Sequence, residues 1–193
     1  MPRDKPELER PELRSTSFVR DRPSVAAALE LARGLQRERV DLDHAIRVAT
    51  MVDGLGYEED AVAAALLQAV AREHQAELGE VEAVCGRDVG DLVAALVDDS
   101  RRGSYEQRKA EERDRIARSD RVVAAIYAAD QLDRIRAVAA AGRLPSRVEF
   151  RHYQRAARAL SAAFPGLPFV AEMRFELGGL TGTRRDRTSS DDR

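Results

Sequence analysis

Tryptophan is absent from this chain, cysteine occurs once, histidine three times, and aromatic residues make up only 5% of its 193 positions. A lone Cys85 excludes an intrachain disulfide framework and any Cys-x-x-Cys metal pair, and it fits a reducing compartment. No apolar run approaches the roughly 20 residues that a bilayer-spanning helix needs. The opening stretch MPRDKPELERPELR carries no apolar signal-peptide core. An excess of one charge is missing too: 32 Lys and Arg stand against 34 Asp and Glu, for a net charge of -2. That balance argues against the clustered basic surface of a dedicated nucleic-acid binder. There is no G-x-x-x-x-G-K-[ST] loop and no G-x-S-x-G elbow. The doublet Gly178-Gly179 lacks a following helix and is not read as a phosphate cradle. Together these absences predict a cytoplasmic protein with neither membrane nor nucleic acid among its partners.

What the chain does have is Ala, Leu, Arg and Glu in abundance, all strong helix formers. Hydrophobic residues reach 44%, so the core must be built from many small aliphatic contacts. Residues 1–22, with dense mixed charge and prolines, read as a flexible lead-in. Ser24 is a natural cap for a first helix, and Asp43 for a second that ends at Gly54 and Gly56. A third, from Glu58 to Glu73, places Val62, Ala65, Leu66 and Ala69 at i, i+3, i+4 and i+7, the stripe of a helix packed on one side. Short helices follow over Leu78 to Val84 and Asp88 to Val97, then a loop at SRRGS (100–104). Glu106 to Arg118 reads as a helix so charged that a solvated surface role is expected, with Glu111–Arg115 and Asp114–Arg118 as supporting pairs. A long helix runs from Arg121 to Ala141, with Val122, Ile126, Ala129 and Ile135 on its buried side. Pro145 opens a further unit with Phe150, Tyr153, Ala157, Leu160 and Phe164 as its apolar stripe, broken at Pro165-Gly166. One more helix precedes a tail, residues 179–193, read as disordered. No strand pattern or fixed repeat is present. The expectation is an all-α, single-domain bundle of about eight to ten helices over residues 23–178.

The frame around Ala63–Glu73, AAALLQAVARE, resembles the A-A-L-L-H-D-x-x-E-D block of the HD superfamily of metal-dependent phosphohydrolases. Three other blocks match in order. Asp43-His44-Ala45-Ile46-Arg47-Val48-Ala49 resembles H-x-x-x-V-A. VEAVCGRDVGDLVAALVDD with SYEQRKAEE resembles the central block and its Arg-Lys helix, and IYAADQLDRIR resembles L-A-D-R-L-H-N-x-R. The nearest likeness is to the hydrolase domain of RelA/SpoT-type alarmone enzymes, over roughly Ser24 to Leu177.

The resemblance implies a site in which two His and two Asp hold a divalent cation that activates water and polarises phosphate. Carried over by residue, His44 and Asp130 stand as vestigial metal positions. The His-Asp pair falls on Gln68 and Ala69, and the Glu-Asp pair on Arg72 and Glu73. The later His and Asn fall on Asp133 and Arg134. Arg108, Lys109 and Arg134 are candidate phosphate contacts, against a plain solvated face for the first two. Asp130 is expected to hold an internal partner, with Arg72 the candidate, and His44 is read as a structural histidine more readily than a ligand. Glu73 and His74 point about 100° apart on one helix, so one ion is not expected to use both. Cys85 is read as a small core residue, and Phe150, Tyr153 and Phe164 as packing.

These residues predict a degenerate, non-catalytic HD-type protein that binds a nucleotide or a protein partner and carries no cofactor. The alternatives are an active phosphohydrolase with an altered ligand set, using Mn, Zn or Fe, and a purely structural helical module.

Overall fold

The computed structural model describes residues 19, 21–34, 42–74, 78–97 and 103–190, with side chains at 69–70, 72–74 and 182–190 outside that description. The lead-in up to residue 18 and positions 100–102 of the SRRGS loop lie outside the described residues. Nine helices and no strand occur among the described residues. They are α1 (Pro23–Gly34), α2 (Leu42–Asp53), α3 (Glu59–His74), α4 (Leu78–Cys85), α5 (Arg87–Leu96), α6 (Tyr105–Ala117), α7 (Arg121–Ala140), α8 (Arg147–Ala163) and α9 (Val170–Ser190). The all-α bundle read from the sequence is the architecture observed.

Local chemistry sets the boundaries. Pro23 opens α1 as its first helical residue, a position that needs no N–H, so Ser24 lies inside the helix instead of capping it. Its backbone N–H donates to Glu59 of α3. Arg22 pairs with Asp53 at the end of α2. Ser104 and Gln107 form a reciprocal capping box at the start of α6, and Ser146 and Glu149 do the same for α8. Asp120 caps α7 through the Val123 N–H at 2.8 Å. Gly86 (φ 91°), just before α5, and Gly103 (φ 88°), just before the α6 cap, hold left-handed backbone that favours glycine.

Two helices are buried more completely than the sequence stripes suggest. In α3 every residue from Ala61 to Gln68 is buried, because α1, α2 and α5 all pack on it. The one-sided stripe expected there is therefore a fully enclosed run of small residues. Similarly, α7 is buried from Val123 to Asp133 without a break, since it contacts α2, α3, α5, α6, α8 and α9. Its buried run is apolar except for Asp130, Gln131 and Asp133. Full burial of each Leu or Ile there contributes about 1.5–3 kcal/mol.

Three further differences matter. The helix α6 is not a solvated charged rod: Glu112, Arg113 and Ile116 are buried against the bundle. Arg115 donates to the Ala95 and Leu96 carbonyls at 3.1 and 3.4 Å, placing a cation on the last turn of α5. Helix α9 continues to Ser190 with Leu180 buried, so helix occupies most of the stretch read as a disordered tail. A helix docked through Met173 and Leu177 extends through a polar end more readily than composition indicates. Cys85 is a buried core residue. Tyr153 is buried, with Phe150 and Phe164 packed against the core.

Candidate functional site

Helices α2 and α7 meet at a buried polar centre. His44, in the first turn of α2, lies 86 residues from Asp130, yet its Nε2 is 2.9 Å from Asp130 Oδ1. Its Nδ1 is 2.6 Å from Asp133 Oδ2, one turn further along α7. Both partners are carboxylates, an arrangement that favours hydrogens on both ring nitrogens, the imidazolium form. Burial opposes that charge, but the bonds from Asp130 and Asp133 outweigh it and raise the His44 pKa. Burial likewise works against the Asp133 carboxylate, and His44 and Arg47 overcome it, lowering its pKa. Arg47 holds Asp133 with two bonds, Nε to Oδ1 at 2.8 Å and an Nη to Oδ2 at 3.0 Å.

Asp130 is 0% exposed. Arg134 folds back along α7, its Nε 3.2 Å from each Asp130 oxygen, and this attraction raises the Arg134 pKa. Gln131 Nε2 donates to Asp130 Oδ2 at 2.8 Å. Gln131 Oε1 then accepts from His152 Nε2 at 2.9 Å, and His152 Nδ1 accepts from Arg113 at 3.0 Å. These bonds place the neutral His152 proton on Nε2. A continuous chain of polar contacts thus crosses the bundle: Arg47, Asp133, His44, Asp130, Gln131, His152, Arg113.

The structure brings His44, Asp130 and Arg134 together. Gln68 lies on α3, which packs on both α2 and α7, and is 1% exposed. Neither of its amide atoms has a hydrogen-bond partner among the described residues. Ala69, Arg72, Glu73 and His74 are on the same helix, but their side chains lie outside the described residues, and with them the expected Arg72–Asp130 pair. The partners seen on Asp130 are His44, Gln131 and Arg134. Lys109 is tied to the buried Glu112 at 2.8 Å, and Arg108 donates to the Gly103 carbonyl at 2.8 Å.

For a divalent cation the described donor set falls short. His44 and Asp130 meet there, and no group of three or more His, Cys, Asp or Glu able to hold a metal occurs among the described residues. Asp130 has about four acceptor sites, as any carboxylate does, and three N–H donors turn toward them, from His44, Gln131 and Arg134, the last shared between both oxygens. A guanidinium beside that carboxylate further opposes a second positive charge.

Sequence reasoning missed the roles of Gln131, His152, Arg113 and Glu112. His152 did carry a signal: it shares the i, i+1, i+4, i+5 face of α8 with Tyr153, Ala156 and Ala157. A histidine on an apolar face needs a polar partner. Glu112 and Arg113 carried almost none, since Ile116 is the single long aliphatic on that face.

A family model described as "HD domain" matches residues 24–156. No curated protein matches the chain. Among solved structures, one is similar with TM-score 0.65 and 24% identity, covering 83% of this chain and 95% of the other. It is a metazoan ortholog of SpoT that hydrolyzes ppGpp and plays a role in starvation responses. The crystal structure of lmo0812 from Listeria monocytogenes is similar with TM-score 0.61 and 22% identity, covering 69% of this chain and 96% of the other. At these identities the likeness is one of fold. No helix among the described residues is long and apolar enough to cross a membrane.

Proposed function

The chain belongs to the HD-domain family, and from that premise we propose that it binds a nucleotide or a protein partner without hydrolysing phosphate esters. The observation that carries this reading is the fully buried Asp130, engaged by the N–H groups of His44, Gln131 and Arg134. Hydrolysis at such a centre depends on a cation that brings the pKa of bound water near 7. Here Gln68 supplies a neutral amide and Ala69 a methyl where the family places His and Asp. Arg134 neutralises Asp130 from within the protein, so the old ligand stays buried without an ion.

One observation favours a second reading, an active phosphohydrolase with an altered ligand set. The 2.9 Å between His44 Nε2 and Asp130 Oδ1 is also the edge of a coordination shell, since ligands about 2.1 Å from one ion at right angles sit about 3 Å apart. Metal analysis of chelator-free protein separates the two, joined to a phosphate-release assay on guanosine tetraphosphate. The binding reading expects no stoichiometric manganese, zinc or iron and no turnover. Stoichiometric metal that disappears in His44→Ala, with steady phosphate release, overturns it.

A further inference from the structure

Beyond the His44–Asp130 centre, α6 and α8 enclose a cleft whose walls include Tyr105, Lys109, Arg113, Arg151, His152 and Arg155. Four of these side chains are cations, and the one acid in the lining is Glu106. Two of the charges are locally answered: Lys109 by Glu112 at 2.8 Å and Arg151 by Glu106 at 3.1 Å. The second pair joins side chains that are each 54% exposed, so it constrains little.

Arg113 is different. It is only 9% exposed, and its hydrogen bond among the described residues goes to a neutral acceptor, His152 Nδ1. A guanidinium brought that far out of water ordinarily faces a carboxylate or another anion. Its five N–H donors form a planar fork suited to two oxygens of one group. Arg155, exposed on α8 four residues beyond Arg151, completes the basic lining with no ion pair to a described residue. The Tyr105 ring stands at the rim, 39% exposed and edge-on to His152 at 6.4 Å.

We propose that this cleft binds a phosphoryl group, with Arg113 and Arg155 as its principal contacts and Lys109 and Arg151 as supporting charges. The inference rests on the binding role proposed above, to which it gives a ligand class and a place. The same chemistry is offered by free phosphate or pyrophosphate and by the phosphates of a nucleotide. Tyr105 would face the remainder of a nucleotide.

Calorimetric titration of the full chain at low ionic strength tests it, with inorganic pyrophosphate as the probe. One saturable site is expected. Arg113→Gln and Arg155→Gln should each weaken it by about tenfold or more, as loss of a charge-assisted bond does. Arg158→Gln, exposed on α8 outside the cleft, should leave it unchanged. Arg155 is exposed, so its variant keeps the test valid even if Arg113→Gln fails to fold. Absence of binding by the unaltered chain, or equal affinity in Arg155→Gln, overturns the proposal. A nucleoside diphosphate that binds more tightly than pyrophosphate, with the gain lost in Tyr105→Ala, identifies the source as a nucleotide. Equal binding of the two identifies free phosphate. Phosphate turnover or a bound metal would refute the non-catalytic reading and leave this site standing.

Discussion

Arg134 reaches back one turn along α7 and meets both oxygens of Asp130 at 3.2 Å. The carboxylate is sealed from solvent, whereas the Arg134 side chain is 40% exposed. The pair therefore sits at the boundary between a buried charge and water. Its weight in stability can be measured. Arg134→Ala should destabilise by about 1–3 kcal/mol, less than a wholly buried pair because solvent reaches the guanidinium. Urea unfolding gives the value, and a loss below about 0.5 kcal/mol would mean that His44 and Gln131 suffice.

Gln68 supplies the opposite test. Its buried amide has no partner among the described residues, and an amide left so forfeits its hydration without a return, at about 1–3 kcal/mol. Gln68→Met keeps the volume and removes the polar atoms. Its thermal midpoint should equal or exceed that of the unaltered protein. A marked drop would show that the amide is bonded after all.

The bridge from Asp130 to Arg113 depends on Gln131 and His152. Gln131→Leu leaves the His152 Nε2 proton and one Asp130 oxygen without their shared partner, at about 2–3 kcal/mol. His152→Phe removes that proton as well. In a double-mutant cycle the second change should therefore cost less in the Gln131→Leu background, with a coupling of about 1 kcal/mol. Simple additivity would mean that the chain is not continuous.

The cap of α8 has a pH signature. Bonds from the Ser146 side chain and backbone lower the Glu149 pKa from its ordinary 4.5. Because the folded value is the lower one, its contribution is present above about pH 4.5 and fades as pH falls through the depressed value. Glu149→Gln can keep the capping bond but cannot titrate. It should retain most of the neutral-pH stability while flattening the acid limb of unfolding midpoint against pH. An unchanged acid limb would remove Glu149 from the account.

Much of the fold was legible because its helices carry their own punctuation: Gly54 and Gly56 after α2, Pro145 ahead of α8 and Pro165-Gly166 beyond it. The site was legible in part. The resemblance placed His44 and Asp130 together across 86 positions, which no local pattern could do. It could not show that Asp133, standing where a histidine was expected, turns back to hold the other nitrogen of His44. Nor could it show Glu112 and Arg113 buried, because α6 presents charge on nearly every face and tertiary contact alone chose which side turned inward.

Asp130, Gln131, Asp133 and Arg134 all sit on α7, the helix that touches six others. Any alteration there is judged by the architecture before it is judged by chemistry. Replacements that cancel charge in place can persist, while those that leave a lone ion inside remove the whole domain. A spine of this kind ties the fate of each polar residue on it to the fate of the fold.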